Sequence, residues 1–400
     1  MNELKHSIKL NFFPLFYLVL CSLLLLNVFE ITEPKWINHI GEHTVRLSLV
    51  FFAIFFVFYY ILQRRYTKNL TKLYSGIATF FIIQLLSSYI HNTYFSIDNL
   101  FGLFAMLSFI VLMAHSTWKT KYYKLFGYVF SIFILYIAAY WLIFNPVTDG
   151  FSAIFINPNG LAIILFCMFF FQLLSFFYAS LGERFYFGGI SILNIFLIYS
   201  TSSRNVYLAL AIVLFSFILL SISKKMFSLL FYLAIGFNVV FTICYTLLVN
   251  TRVGDYLNTI SIKLFNKNFF SGRSEIWFDL WSPIMDKPFF GHGIGVDARD
   301  FTMKTAHNQY MQTLLESGII GLIAFFFILF ILWKLLLKNL HSFEAKLSAC
   351  FFIATLIYAN FELTLFQNNY AIGILQWLLM TLGISITDKE YTNSNLTRLK

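Results

Sequence analysis

Apolar runs alternate with short polar stretches along almost the whole chain. A helix needs about 20 mostly apolar residues to cross the hydrocarbon core of a bilayer. By this pattern the sequence predicts helical spans at 10–29, 46–62, 73–90, 100–115, 125–144, 161–179, 187–200, 206–222, 228–249, 318–337, 347–365 and 371–386. The predicted fold is therefore an all-α polytopic membrane protein with about twelve transmembrane helices.

The longest polar interruption comes late in the chain. Residues 1–249 contain the first nine predicted transmembrane helices, residues 250–317 form one long loop, and residues 318–400 contain the last three helices and a tail. The stretch 271–321, called the polar segment below, carries arginines, acids, glycines and two histidines. Most of the chemistry is expected in this segment, because the rest of the chain is apolar enough to lie in lipid.

Composition narrows the class of protein. A hydrophobic content of 59% with 12% charged residues excludes an ordinary soluble globular protein. The first apolar run is too long and uniform for a cleaved signal peptide, so we interpret it as a retained span. The four cysteines lie inside apolar runs without metal-ligand or disulfide spacing, and we expect no metal and no cofactor.

The distribution of charge predicts an orientation. The net charge is +10, but the basic residues fall mainly in short loops on alternate sides, which does not indicate a nucleic-acid partner. One side holds 18 of the 28 Lys and Arg residues and five of the 18 acids. By the positive-inside rule this side is cytoplasmic and both termini are cytoplasmic. The polar segment then faces outward, away from ATP and nucleotide sugars.

Residues 274–286 of the polar segment fit an amphipathic helix. Its polar residues make one stripe, most simply the solvated side: Glu275, Asp279, Ser282 and Asp286. Trp277 and Trp281 lie on the opposite face, which favours a helix at the membrane interface. Arg273, just before the first turn, points to the apolar side and could meet a lipid phosphate.

The run PFFGHGIG (288–295) predicts a tight turn in which backbones approach closely. It lacks the ending of a phosphate-binding Walker loop and does not follow a strand. His292 within it is interpreted as a loop residue. Neither His292 nor His307 has carboxylates at metal-ligand spacing.

His307 is predicted to begin the helix that becomes the tenth span. The residues on its face would be Met311, Leu314, Gly318 and Gly321, whereas Gln309, Gln312 and Glu316 would lie opposite. The two glycines would leave room under the histidine for a neighbouring helix or a lipid chain. His307 is either a capping or packing residue, or a general base for a sugar hydroxyl.

Two charged residues outside the polar segment are candidates for the site. Arg204 in STSSRN lies between two apolar runs, either as an interfacial arginine or as a ligand for an anion such as diphosphate. Glu362 lies near the outer end of the eleventh span, where an acid is unfavourable unless it is paired or faces a cavity. It is either a structural partner of an outer arginine or a direct participant.

Two further outward segments are polar. Residues 30–46, with Trp36, His39 and His43, are predicted to be a solvated loop, with a lid or an acceptor contact as the alternative. Residues 145–160 end in NPNG, a turn that opens the sixth span. Its amides could recognise sugar, although helix entry alone explains them.

Together these motifs resemble a known family. HNQYMQTLLESGIIG has the form His-Asn, nine residues, Gly, two residues, Gly, and it accompanies SGRSEIW, DKPFFGHGIG and SSRN within residues 157–321. The combination is similar to the O-antigen ligase and O-antigen polymerase superfamily of bacterial membrane glycosyltransferases. The predicted layout, with one long outer loop before a late span, extends the resemblance to the whole chain.

The resemblance implies a metal-independent GT-C-type enzyme of the bacterial cytoplasmic (inner) membrane. It implies transfer of a glycan from an undecaprenyl-diphosphate carrier, with Arg204 and Arg273 holding the diphosphate and His307 activating the acceptor hydroxyl. Candidates for supporting roles are Asn308, Glu362, Arg252 and Arg299, of which Arg252, Arg299 and Glu362 match no motif of the family.

The acceptor stays open at this point. A repeat-unit polymerase, for capsule or O-antigen, is favoured because the Phe, Ile, Leu, Lys and Asn bias is common in low-GC bacteria. A ligase acting on lipid A core or protein is the alternative, and a flippase or transporter of lipid-linked glycans is a third reading. The expected partners are the lipid-linked oligosaccharide, a glycan or lipid A core acceptor, the bilayer, and a flippase and chain-length regulator.

Overall fold

The computed structural model describes residues 2–63, 70–91, 95–144, 146, 149–249, 251–266, 268–270 and 272–384. Within these ranges the chain is helical and forms no β-strand, only an isolated bridge between Thr32 and Phe155. The predicted all-α fold class is therefore confirmed. Ser271, the first residue of the polar segment, and the tail from residue 385 lie outside the described residues.

Fifteen α-helices follow one another through the described residues. They are α1 (Asn2–Asn27), α2 (Lys35–Gln63), α3 (Thr71–Ile90), α4 (Ile97–His115), α5 (Thr120–Phe144), α6 (Pro158–Tyr178), α7 (Leu181–Ser200), α8 (Arg204–Ile222), α9 (Lys224–Leu247), α10 (Arg252–Phe265), α11 (Arg273–Asp286), α12 (Arg299–Thr302), α13 (Gln309–Lys338), α14 (Phe343–Tyr358) and α15 (Tyr370–Leu382). A 3-10 turn, Val28–Ile31, joins α1 to α2.

Each of the twelve predicted spans coincides with one of these helices. In the described part of the chain ten helices, α1 to α9 and α13, are long and apolar enough to cross a membrane. The last two, α14 and α15, have only 16 and 13 residues and end earlier than predicted. Both are enclosed by other helices, so the thickness of the bilayer does not set their length.

The predicted polar loop 30–46 is largely helical, which corrects the sequence interpretation. Helix α2 begins at Lys35, because Pro34 precedes it and the carbonyl of Pro34 accepts hydrogen bonds from the N–H groups of Ile37 and Asn38, both at 2.9 Å. His39 and His43 therefore lie one helical turn apart on an exposed face of α2.

The centre of the bundle is built from helices that are apolar on all sides. Most side chains of α6 and nearly all of those of α14 are buried, as expected for helices without a polar face. Helix α6 packs against α5 and α7, whereas α14 packs against α8 and α15. The long helix α13 packs against α3 and leads from the polar segment back into the bundle.

Helix α13 is broken at Gly318, and the PFFGHGIG turn (288–295), called the glycine loop below, supplies hydrogen-bond partners at the break. Gly318 has φ 62° and ψ −165°, which interrupts the helical hydrogen bonds on either side. His292 N–H donates to the carbonyl of Leu315 at 2.8 Å, and Ile319 N–H donates to the carbonyl of Pro288 at 2.8 Å. The predicted close-approach turn is therefore confirmed, and its partner is the broken helix.

The space at the glycines of α13 is not available to a lipid chain. A Cβ added to Gly318 would lie 2.3 Å from the backbone carbon of Phe289, and one added to Gly321 would lie 1.8 Å from Oγ of Ser317. The prediction that these glycines leave room under His307 is wrong, because the glycine loop and α13 itself already fill that space.

Helix α11 has the predicted polar stripe, and all four of its residues are exposed. Its apolar face packs on protein, however. Trp277 is fully buried, together with Ile276 and Leu280, in a cluster that includes Tyr245 of α9 and Met311 of α13. The prediction that both tryptophans lie at the membrane interface is therefore wrong for Trp277, which anchors α11 to the bundle.

Candidate active site

One cavity of about 340 Å³ brings together residues that are far apart in the sequence. Arg204, Arg273 and His307, the three residues predicted to form the site, all line this cavity. The other lining residues are Asn159, Ser202, Asn205, Gly272, Ile276 and Lys304. The long loop and the turns before α6 and α8 therefore build the walls, and most of the groups they present are polar.

Four helices begin at this cavity. Asn159 lies in the first turn of α6, Arg204 opens α8, Arg273 opens α11, and His307 lies two residues before α13. The N-terminus of a helix carries a partial positive charge from its unsatisfied N–H groups. The combined field of four such ends, added to the arginines, favours an anion.

The four helix ends differ in how they are capped. Asn157 caps α6 by accepting from Gly160 N–H at 2.7 Å, and Asn308 caps α13. In the described structure α8 and α11 have no side-chain cap, since their N-cap residues are Ser203, whose side chain makes no cap bond, and Gly272. The two helices that open with the cavity arginines are thus the two whose first turns are left without a side-chain cap.

Arg204 is held at the cavity wall by the long loop. Its Nη1 donates to Oγ of Ser261 on α10 at 2.9 Å, and its Nη2 donates to the carbonyl of Asn268 at 3.2 Å. Helix α10 and the residues after it therefore fold against α8 and orient the guanidinium. An arginine so oriented suits a phosphate group, because its planar fork donates hydrogen bonds in fixed directions.

Arg273, Glu362 and His307 form one connected chain of polar contacts. Arg273 Nη2 lies 3.0 Å from Glu362 Oε1, and the side chains of both residues are only 15% exposed. The other oxygen, Glu362 Oε2, lies 3.1 Å from His307 Nδ1. One carboxylate thus joins a candidate ligand for an anion to a candidate base. The pairing of Glu362 with an arginine agrees with one of the two hypotheses for this residue.

The contact with Glu362 bears on which ring nitrogen of His307 can accept a proton. If Nδ1 donates its proton to Glu362, Nε2 is the unprotonated nitrogen that can accept one. Within the described part of the chain Nε2 of His307 has no hydrogen-bond partner, and the side chain is 40% exposed at the cavity. A carboxylate behind an imidazole also stabilises the imidazolium that forms when the ring takes a proton.

His307 does not begin a helix, which corrects the sequence prediction. It has φ 45°, a left-handed conformation, and α13 begins two residues later at Gln309. Asn308 is the N-cap, with its side chain accepting from the N–H groups of Tyr310 and Met311. Because His307 is outside the helix, the face it was predicted to share with Met311 does not exist.

Helix α11 positions the segment that carries the histidine. Trp277, one turn after Arg273, donates from its indole Nε1 to the carbonyl of Ala306 at 2.7 Å. The residue preceding His307 is thereby tied to the helix whose first residue is Arg273. Trp277 therefore holds the segment before His307 although it does not line the cavity.

Glu362 lies outside helix α14, although it was predicted within the eleventh span. The helix ends at Tyr358, and the chain then folds back over the start of α13. Leu365 N–H donates to Oε1 of Gln309 at 3.0 Å, and Trp377 Nε1 donates to the carbonyl of Leu365 at 2.8 Å. These contacts hold the loop so that its carboxylate reaches His307.

The other supporting candidates do not line the cavity. Arg252 opens α10 and is exposed. Arg299 pairs with Asp297, Nη2 to Oδ2 at 2.8 Å, and this contact raises the pKa of Arg299. Burial opposes ionisation of Asp297, but the hydrogen bonds from Arg299 outweigh it and lower the pKa of Asp297. Asn308 is buried and acts as a helix cap.

The sequence interpretation missed Lys304 and Asn205 as cavity residues. The signal for Lys304 was its place three residues before His307, and the signal for Asn205 was its adjacency to Arg204. Asn159 belongs to the NPNG turn whose amides were considered for sugar recognition. No group of three or more His, Cys, Asp or Glu side chains that could hold a metal occurs among the described residues.

Comparison with known proteins gives one family. Residues 189–326, about a third of the chain, match the family described as O-antigen ligase. This stretch contains Arg204, Arg273, Lys304 and His307, whereas Glu362 lies beyond it. No curated protein matches the chain. The match over residues 189–326 agrees with the resemblance of the sequence motifs to the O-antigen ligase and O-antigen polymerase superfamily.

Proposed function

We propose that the protein is a membrane glycosyltransferase that moves a glycan from an undecaprenyl-diphosphate carrier to an acceptor hydroxyl. The observation that carries this proposal is one cavity lined by two arginines and by a histidine that is backed by a carboxylate. Diphosphate needs cations with directed hydrogen bonds, and a sugar hydroxyl needs a base, and this cavity contains both.

On the donor side, Arg204 and Arg273 bind the diphosphate of the carrier. The bond between the anomeric carbon and the phosphate oxygen breaks, and the diphosphate leaves with the electron pair. Negative charge builds on the leaving oxygen as this happens, and the arginines and the open first turns of α8 and α11 stabilise it. The activated ester supplies the driving force, so the reaction needs no nucleotide.

On the acceptor side, His307 takes the proton. Its Nε2 accepts the hydroxyl proton while the hydroxyl oxygen forms the new bond to the anomeric carbon. Glu362 holds the ring through Nδ1 and balances the positive charge that the ring acquires. The amides of Asn159 and Asn205, which line the same cavity, are suited to hydrogen bonds with sugar hydroxyls.

The acceptor we propose first is a second lipid-linked repeat unit, so that the product is an O-antigen or capsular polysaccharide chain. This preference is based on the low-GC composition bias of the chain. The second candidate is ligation to a lipid A core or protein, which the description of the matching family as O-antigen ligase favours. Both reactions use the same donor and the same base.

The proposal includes a setting for the reaction. The protein would lie in the bacterial cytoplasmic membrane with both termini in the cytoplasm. The transmembrane helices within residues 1–249 and 318–400 would cross the bilayer, and loop 250–317 would lie on the outer face. The donor would arrive through a flippase, and a chain-length regulator would act on the product. Positive charge in the short loops supports this orientation.

The test is incubation of the purified protein in lipid nanodiscs with a lipid-linked repeat unit. A ladder of longer glycans would establish a polymerase. Product that appears only after lipid A core or acceptor protein is added would establish a ligase. Movement of the donor across a bilayer with no new glycosidic bond would contradict the proposal and indicate a transporter.

A further inference from the structure

Lys304 lines the cavity but has no role in the reaction proposed above. It lies three residues before His307 and is exposed at the cavity that Arg204 and Arg273 line. Among the described residues its ammonium group has no carboxylate within ion-pair distance, whereas Arg273 is paired with Glu362. Within the described part of the chain, Lys304 is therefore a cation without an acidic partner beside the candidate anion site.

The backbone around Lys304 is held in an unusual conformation. Met303 and His307, on either side of it, both have left-handed backbones with φ 61° and 45°. Such backbone conformations are unfavourable for residues other than glycine, and they persist where the surrounding structure imposes them. Thr302 Oγ1 also lies 2.8 Å from the carbonyl oxygen and 3.3 Å from the nitrogen of Lys304. The segment therefore presents Lys304 and His307 to one cavity.

The charges around the cavity do not match a diphosphate without Lys304. Arg204 and Arg273 contribute two positive charges, but Glu362 removes one of them by pairing with Arg273. A diphosphate esterified at both ends carries two negative charges, and it gains a third when the sugar bond breaks. Lys304 raises the summed charge of Arg204, Arg273 and Glu362 from one to two positive charges.

We propose that Lys304 is the third cation of the diphosphate site and that it binds the leaving diphosphate of the lipid carrier. This inference rests on the proposed function, because that function supplies the diphosphate. A lysine is suited to this part. Its ammonium is a compact charge on a flexible stem that can follow the phosphate as it separates from the sugar.

Direct binding of the product's chemical group tests the inference without any transfer reaction. Geranylgeranyl diphosphate and geranylgeranyl monophosphate would be titrated against the protein in nanodiscs of zwitterionic lipid, with binding followed by tryptophan fluorescence. We expect Lys304→Met, which keeps the length and removes the charge, to weaken diphosphate binding about tenfold and monophosphate binding less. Lys304→Arg should bind the diphosphate nearly as wild type does.

A matched control is available at the other end of α11. Lys287 follows the last residue of that helix and does not line the cavity, so Lys287→Met should leave both affinities unchanged. Diphosphate affinity of Lys304→Met within about twofold of wild type would overturn the inference. So would an equal loss for monophosphate, because the lysine would then serve only the general potential.

The transfer assay separates this inference from the function on which it rests. With lipid-linked donor, Lys304→Met should raise the KM for donor and leave the KM for acceptor unchanged. If wild type binds diphosphate through Lys304 but forms no glycosidic bond, the proposed function fails and the binding site stands. If wild type transfers glycan and Lys304→Met does so with unchanged donor KM and kcat, the function stands and the inference fails.

Discussion

Glu316 in α13 and Glu362 in the loop that folds over the start of α13 have different kinds of neighbours. Glu362 contacts one cation and one imidazole, and it lies next to the cavity. Glu316 is 1% exposed and accepts from two neutral amides, Gln312 Nε2 at 2.9 Å and Gln367 Nε2 at 2.6 Å. The first carboxylate links charged groups that can act on a ligand, whereas the second joins α13 to the loop after α14.

The difference shows that the neighbours of an acid, and not its burial alone, decide what it can do. Glu316 belongs to the stretch HNQYMQTLLESGIIG that carries the family resemblance, yet its partners are amides that fix the fold. Glu362 lies outside residues 189–326, which match the family, yet it contacts both candidate reacting groups. In the proposed function Glu362 therefore takes part in the reaction, whereas the contacts of Glu316 are structural.

Replacement of the base should have the largest effect. His307→Ala removes the group that takes the acceptor proton, and we expect transfer to fall by about 10²- to 10⁴-fold. The rate would be measured with lipid-linked donor, and folding by the elution profile of the protein in detergent. His43→Ala, an exposed histidine on α2, is the matched control and should transfer at the wild-type rate.

Loss of the anion ligand should come next. Arg273→Ala removes a diphosphate contact and leaves Glu362 without its cation, so we expect a fall of about 10²- to 10³-fold in kcat/KM for the donor. Arg299→Ala is the control, because Arg299 is 61% exposed and pairs only at the surface. Equal losses in the two variants would show that the effect is one of general positive charge.

Neutralising the cavity acid should have a smaller effect. Glu362→Gln keeps the shape but cannot balance the imidazolium, so we expect kcat to fall about 10- to 100-fold. The donor KM should change less than kcat, because the amide can still contact Arg273. A kcat equal to that of wild type would remove Glu362 from the reaction.

The same substitution in the enclosed acid should leave the chemistry unchanged. Glu316→Gln puts an amide donor against the amides of Gln312 and Gln367, and the lost hydrogen bond should lower the free energy of unfolding by about 1–3 kcal/mol. Thermal unfolding in detergent would measure this. Transfer per folded molecule should stay near the wild-type rate, and a large drop in kcat would break the distinction between the two glutamates.

Much of the fold could be predicted because the bilayer imposes a simple rule on the sequence. Every predicted span coincides with a helix, since apolar length alone identifies a membrane helix. The predictions are wrong where a helix is surrounded by protein and not by lipid. Helix α15 is shorter than a span because it is enclosed, and Trp277 packs on Tyr245 because α11 has a protein surface to cover.

The candidate site could be predicted only in part. Arg204, Arg273 and His307 were identifiable because each is polar where its surroundings are apolar or turn-forming, and the structure brings them to one cavity. The backbone of His307 could not be predicted, since its left-handed conformation is imposed by contacts such as the bond from Trp277 to the preceding residue. Neither could the contact between Glu362 and His307, which depends on how the chain folds back after α14.

The central claim is that Glu362 acts on glycan transfer through His307. A double-mutant cycle measures this directly, with transfer rates for His307→Ala, Glu362→Gln and the double variant in one preparation of lipid-linked donor. If the carboxylate works through the imidazole, the double variant will be as slow as His307→Ala alone. If Glu362→Gln lowers the residual rate of His307→Ala by the same factor as it lowers the wild-type rate, the two residues act independently and the claim is wrong.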